Sequence, residues 1–174
     1  MKVILISGKA RHGKDITAEI MKNELSAAGN RVLVTHYADL VKYVCKEFFD
    51  WDGNKDEKGR TLLQYVGTDV VRNKTPDYWV NFIADILDFF GENWDYVIIP
   101  DCRFPNEIER MKACYECVHL RVRRESFDSI LTSVQQNHPS ETALDDCEPD
   151  FWIDNNGTKE ELKIKVTEWI KENL

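Results

Sequence analysis

Long apolar runs are missing from this chain: no stretch of its 174 residues approaches the ~20 apolar positions of a membrane-spanning helix. The start, MKVILISGKA, has one lysine and only a short apolar run before a glycine, too little for a secretory signal and its cleavage site. A basic surplus is missing as well. Lys+Arg 23 against Asp+Glu 31 leaves a net charge of −8, which argues against a nucleic-acid polymer as partner. It leaves a small phosphorylated ligand open, because a few local arginines outweigh a distant acidic surface. The five cysteines are odd in number and form no disulfide-like framework, so reduced thiols in a cytosol, hence a cytoplasmic protein, are the simpler reading. Cys114 and Cys117 make a lone CxxC with only Cys102, His119 and Cys147 scattered around it, which favours structural thiols over zinc. Repeats, low-complexity tracts and a Gly- or Pro-rich linker are absent, so residues 1–174 are expected to form one domain.

What is present alternates between strand and helix, the pattern of a parallel α/β sheet. Val3–Ile6 reads as a buried strand ending at Ser7-Gly8, followed by a helix from Lys14 with Ile16, Ile20, Met21 and Leu25 in phase and Gly29 as its stop. Arg31–Tyr37 reads as the second strand and Leu40–Phe49 as a helix with Val41, Val44, Cys45 and Phe48 on one face. Asp50–Arg60 is polar and reads as a loop, ahead of helices over Thr61–Asn73 and Asp77–Phe90. Tyr96–Ile99 is the clearest later strand; a helix over Asn106–Ala113, with Pro105 in its first turn, and a strand over Cys117–Val122 follow. Residues 124–149 lack periodicity and are expected to be a mobile excursion. The chain closes with a strand at Phe151–Asp154, a turn at Gly157 and a helix carrying Leu162, Val166, Trp169 and Ile170. Five strands between flanking helices predict a three-layer α/β domain.

Chemistry begins at the first strand's end. Gly8-Lys9-Ala10-Arg11-His12-Gly13-Lys14-Asp15 fits G-x-x-x-x-G-K-[ST] except at its last position. Glycines let the backbone curl so that successive N–H groups face phosphate oxygens, the following helix adds the positive end of its dipole, and Lys14 supplies a point charge. Strand, loop and helix occur in the order such a P-loop needs, and Ile16 on the first turn is counted with it. Asp15 replaces the hydroxyl that usually ligates Mg²⁺; a carboxylate is a good Mg²⁺ ligand, directly or through water, while a plain helix-capping role is the alternative. Asn54-Lys55-Asp56-Glu57 resembles a guanine-reading NKxD with the aspartate one position early, in the wrong place along the chain, and reads as a solvated loop.

Asp101, at the carboxyl end of the Tyr96–Ile99 strand, is placed where parallel sheets bind ligands and can hold Mg²⁺ or its waters, or simply cap a turn. Arg103 beside it can grip a phosphate bidentately, or form a surface ion pair. Asp39 and Lys42 follow the second strand, again at the carboxyl edge, as candidates for an acceptor's sugar, base or phosphate. Arg121 and Arg123 alternate with Val118, Leu120 and Val122, and with Arg124 they lead into the irregular stretch 124–149.

The strings GKARHGKD (8–15), YADL (37–40), Leu62-Leu63-Gln64 with Gly67-Thr68 and Arg72, Asp77 with Trp79-Val80, DCRFPNE (101–107), HPSE (138–141) and IDNNGT (153–158) together resemble the deoxynucleoside monophosphate kinases of the bacteriophage type. The order of parts is also similar to animal-type phosphomevalonate kinases, and the closing I-x-N-x-G resembles dephospho-CoA kinase. The resemblance implies ATP-dependent phosphoryl transfer, with Mg²⁺, to a (deoxy)nucleoside monophosphate in a cytoplasm (a host's, if phage-encoded). Its rivals are another small phosphorylated acceptor, and a module that binds nucleotide without turnover. It also implies roles: Lys14, Arg103 and a lid arginine, Arg124, acting in transfer; Arg72 and Trp79 at the acceptor; Asn155 and Gly157 beside the donor's adenine; an acceptor region over 38–90 and a lid over 124–149. From the residues alone Arg72 is equally a helix C-terminal cation, and Asn155–Thr158 a tight turn with Thr158 as N-cap. Exposed aromatic residues on the middle helices are compatible with a homodimer.

Overall fold

The computed structural model describes residues 1–125 and 127–174. The apolar run of β1 (Lys2–Ser7) is buried on both faces, as the middle strand of a parallel sheet requires. It pairs in parallel with β3 (Tyr96–Ile99) on one side and β4 (Glu116–Arg123) on the other. β2 (Val32–Val34) and β5 (Phe151–Asp154) form the edges, giving the order β2-β3-β1-β4-β5 with every pairing parallel.

Strand alternation divides the core in two. Ile4, Ile6, Ile98, Leu120 and Val122 pack with Met21 and Leu25 of α1 (Lys14–Ala27) and with Leu162 and Val166 of α8 (Lys159–Asn173). Val3, Leu5, Val97 and Ile99 pack with Val80, Ile83 and Leu87 of α4 (Tyr78–Phe90) and with Ile108 and Met111 of α5 (Pro105–Cys114). The fold is therefore a three-layer α/β sandwich with a five-stranded parallel sheet. A smaller cluster of Val41, Cys45, Val66 and Trp79 unites α2 (Ala38–Phe49) with α3 (Glu57–Gln64) and the turns that follow it. None of the helices among the described residues is long and apolar enough to cross a membrane.

Several boundaries differ from those the sequence predicts. β2 stops at Val34 rather than Tyr37, because the amides of Tyr37 and Ala38 donate to the two carboxylate oxygens of Asp101 (3.0 and 2.9 Å). That draws the chain off the sheet edge and starts α2 at Ala38. The polar stretch 50–60 is a loop only in its first half: Asp56 accepts from the Gly59 amide (2.8 Å) and caps a helix that begins at Glu57. The expected 61–73 helix widens into π-helical turns over Tyr65–Arg72, where the Gly67 carbonyl accepts a bond from Trp79 Nε1 (2.8 Å). Phe48 points outward, at 72% exposure, although its phase places it with Val41, Val44 and Cys45. The 124–149 excursion contains two short helices, α6 (Ser133–Gln136) and α7 (Pro139–Thr142).

Under the front loop, Ser7 Oγ and His119 Nε2 lie 2.7 Å apart, both residues 1% exposed. Burial pushes the His119 pKa down to about 4 from 6.5, so the folded ring is neutral while the unfolded ring takes a proton below 6.5. The stability this contributes is full above pH 6.5 and is lost as pH falls from there toward 4, by up to ~3 kcal/mol. Urea unfolding at pH 7.5 and pH 5 should show that fall in the wild type and a shallower one in His119→Asn; equal slopes would contradict it.

Candidate functional site

The loop after β1 owes its shape to residues on both sides of it. Gly8 has φ 140° and Gly13 φ 106°, conformations that residues with side chains rarely adopt, and a Cβ at Gly8 would strike the Val122 carbonyl. A Cβ at Gly13 would strike the Asn155 amide, which donates to the His12 carbonyl (2.9 Å), while Asn155 N donates to Arg123 O (2.8 Å). Asn155 therefore braces the loop from behind. At Gly157 a Cβ would meet the Glu161 carboxylate and displace it from Thr158 N, from which it accepts (2.8 Å) in the capping box of α8.

Lys14 opens α1 and is 8% exposed. Its Nζ donates to the carbonyls of Gly8 (2.8 Å) and Lys9 (2.9 Å), folding the cation back into the loop. Burial, helped by the Arg103 charge, lowers its pKa to about 8. Asp15 lies on the first turn of α1, its carboxylate 3.8 Å from His36 Nε2, a contact that lowers the Asp15 pKa and raises that of His36. Ile16 turns inward and packs against the core behind the loop.

The loop faces a cavity of about 380 Å³. Its far walls come from the Asp101–Phe104 turn after β3, the start of α2, α3 with its π-helical extension, and the 131–141 segment. Six basic side chains line it (Arg11, Lys14, Lys42, Lys55, Arg60, Arg103) against three carboxylates (Asp15, Asp101, Glu141). A chain of net charge −8 thus concentrates positive charge in one hollow. The remaining wall is apolar or aromatic: Val41, Leu63, Trp79, Phe104 and Leu131. Arg103 NH1 donates to the Ser140 carbonyl (2.7 Å) and to the Glu141 carboxylate, and Lys9 Nζ donates to the Glu141 carbonyl and Asp145 Oδ1 (2.5 Å each).

Of the residues singled out from the sequence, Ala10, Arg11, Lys14, Asp15, Lys42, Trp79, Asp101 and Arg103 line this cavity. Asp39 does not; it pairs with Lys42 (2.7 Å) and with His36 Nδ1 (3.3 Å) from the rim. Arg72 is withdrawn from it, because Glu107 takes its NH2 (2.6 Å), Pro76 O and Asn106 Oδ1 take its NH1 (3.1 and 3.2 Å), and the Phe104 ring stacks 3.8 Å from the guanidinium. Arg124 lies on the outer flank of the loop, over the Phe127 ring at 5.0 Å, its backbone amide donating to His12 Nδ1 (3.2 Å). Lys55, Arg60 and His36 were missed. The capping aspartate at 56 is the signal that could have found the first two, since it starts a helix whose entry faces the front loop. All five cysteines are free thiols, and among the described residues no three His, Cys, Asp or Glu side chains gather as a metal cage.

Comparison with known proteins bears on both ends of this cavity. A sequence model of the family described as deoxynucleotide monophosphate kinase matches residues 34–166. The match begins after the phosphate-cradling loop, so the loop and the family match are separate observations. Deoxynucleotide monophosphate kinase of Enterobacteria phage T4 is 35% identical over 114 residues, 64% of this chain and 45% of that protein. The enzyme of the same name from Escherichia phage RB69 is 35% identical over 109 residues, 62% of this chain and 42% of that protein. The chain thus spans about half the length of the curated relatives it matches. Among solved structures, dephospho-CoA kinase from Campylobacter jejuni superposes with a TM-score of 0.55 at 14% identity, covering 98% of this chain and 97% of that one. Shikimate kinase from Aquifex aeolicus gives 0.50 at 13% identity, covering 99% and 98%. Both share the fold.

Proposed function

The chain belongs to the deoxynucleotide monophosphate kinase family, and from that premise we propose that it transfers the γ-phosphoryl group of ATP to the phosphate of a (deoxy)nucleoside monophosphate. The observation that carries this reading is the cavity itself: a phosphate-cradling loop with Lys14 shares its lining with four further cations, Lys42, Lys55, Arg60 and Arg103. Two phosphate-bearing ligands meeting end to end need that distribution of charge.

In this reading the loop amides and Lys14 hold the β- and γ-phosphates, and the apolar wall of Val41, Leu63, Trp79 and Phe104 receives the acceptor's base. Lys42, Lys55 and Arg60 hold the acceptor phosphate, the role that the resemblance gave to Arg72. An acceptor phosphate oxygen attacks the γ-phosphorus in line, the bond to the β–γ bridging oxygen breaks, and ADP leaves. That oxygen is already ionised near neutral pH, so no general base is required. Arg103 neutralises charge on the group in transfer. Arg124, from its place beside His12, would serve the donor's outer side as part of a lid over 124–149. Mg²⁺ with a nucleotide is carried largely by phosphates and waters, needing only one or two carboxylates, and Asp15 and Asp101 at the cavity edge fit that demand. When bound there, the ion would offset negative charge on the phosphates.

A panel of acceptors with Mg-ATP tests the proposal by ADP release. Deoxynucleoside monophosphates should stimulate ADP formation far above ATP alone. Stimulation only by phosphomevalonate or dephospho-CoA would sink it, as would ADP release indifferent to any acceptor. Within that assay, Arg60→Ala or Lys55→Ala should raise the acceptor KM roughly tenfold or more, while the ATP KM stays near its wild-type value.

A further inference from the structure

The His138-Pro139-Ser140-Glu141 turn, within the 124–149 segment, contributes no named side chain to the mechanism above, yet it places a carboxylate inside a basic site. The Glu141 side chain is 7% exposed and reaches the guanidinium of Arg103 at NH1. A buried carboxylate so close to the path of a phosphoryl group opposes anion binding, so it has to be compensated by what it holds in place. We propose that Glu141 is a positioning residue, which fixes the Arg103 guanidinium so that its remaining donors face the group in transfer. This rests on the reading of the cavity as a phosphoryl-transfer site.

Three features support it. First, only NH1 of Arg103 is engaged, by Glu141 and by the Ser140 carbonyl (2.7 Å); among the described residues its Nε and NH2 have no protein partner, which leaves them for a ligand. Second, the turn carrying Glu141 is anchored at both ends of the cavity. Lys9 of the phosphate loop donates to the Glu141 carbonyl (2.5 Å), and His138 Nε2 lies 3.1 Å from Asp69 Oδ1 in the π-helical segment on the acceptor side. Third, His138 locks the turn internally, its Nδ1 accepting from the Ser140 amide (3.2 Å). A guanidinium gripped by a twice-anchored turn is held to the tolerance that transfer demands, where a misplacement of ~1 Å can cost ~100-fold in rate.

The test uses Glu141→Gln, which is nearly isosteric but lacks the charge, with Glu141→Asp as the conservative variant. The expected result is a fall in kcat of roughly 10- to 100-fold, both KM values within about threefold of wild type, and partial recovery in Glu141→Asp. In an Arg103→Ala background, Glu141→Gln should add almost nothing, because the two act as one unit. Arginine side-chain NMR supplies a readout that needs no turnover: the Arg103 Nε–H signal should be ordered in the wild type and averaged in Glu141→Gln. Wild-type kcat or a gain of activity in Glu141→Gln would overturn the proposal, as would additive losses in the double variant or an unchanged Arg103 signal. If the wild type transfers no phosphoryl group but the Arg103 signal still depends on Glu141, the functional reading fails and the positioning relationship stands.

Discussion

Lys14→Met should lower kcat/KM for acceptor-dependent ADP formation by about 10³-fold, by analogy with the loss of one preorganised charge-stabilising donor. The reason lies in how the cation is held. Lys14 Nζ is tied to the Gly8 and Lys9 carbonyls (2.8 and 2.9 Å), at the centre of the loop that would surround the donor's phosphates. Its site is so poor in water that its pKa falls to about 8, so the protonated amine is kept at neutral pH against a desolvation cost. A group held on those terms is not there for stability. Lys14→Met should therefore unfold no more easily than the wild type, and its thermal midpoint should rise or stay level. Lys14→Arg should not rescue activity, since a planar fork does not fit two converging carbonyls that a compact ammonium fits. Steady-state kinetics beside thermal melts check both halves. A Lys14→Met enzyme within threefold of wild-type kcat/KM would contradict the role assigned to the loop.

Arg72→Met should have the opposite profile, destabilising the fold by about 3–5 kcal/mol. Arg72 and Glu107 form a pair whose side chains are 10% and 2% exposed, with 2.6 Å between NH2 and Oε1. Burial raises the Glu107 pKa, while the Arg72 charge and the amides of Arg103 (2.7 Å) and Phe104 (3.1 Å) pull it back down. Without Arg72 the carboxylate stays buried with no cation paired to it among the described residues, and the turn that carries Arg103 loosens with it. Arg72→Met/Glu107→Leu should recover part of the loss, because it removes the stranded charge. Urea titrations of the three variants decide the point. A loss under 1 kcal/mol in Arg72→Met, with a raised acceptor KM, would instead return Arg72 to the acceptor phosphate, where the family resemblance put it.

The contrast between Lys14 and Arg72 shows what could be read from the chain alone. Gly8, Gly13 and Lys14 were legible because a local backbone demand fixes both their types and their spacing. The parallel sheet was legible because its central strands β1 and β3 are apolar on both faces, and Thr158 announced the last helix as its N-cap. Arg72 was not, since its role depends on Glu107, 35 residues later, and nothing in the local pattern reports a long-range ion pair. Asn155 looked like a turn residue or an adenine contact. Its side chain also braces the loop, donating to the carbonyl of His12, 143 residues earlier. Lys55 and Arg60 are hidden by the polarity of their segment, in which a capped helix start reads as solvated loop. Glu141 was visible only as part of a string, and its chemistry appeared when the fold brought it to Arg103.

In the proposed function, the hollow lined by the phosphate loop and Arg60 joins two phosphates. The most direct measurement is a ³¹P NMR time course of the wild-type protein with Mg-ATP and a deoxynucleoside monophosphate. The ATP γ-signal and the monophosphate signal should fall together while the α- and β-signals of a deoxynucleoside diphosphate and ADP rise in equal amounts. Growth of inorganic phosphate and ADP alone, with the monophosphate signal unchanged, would contradict it.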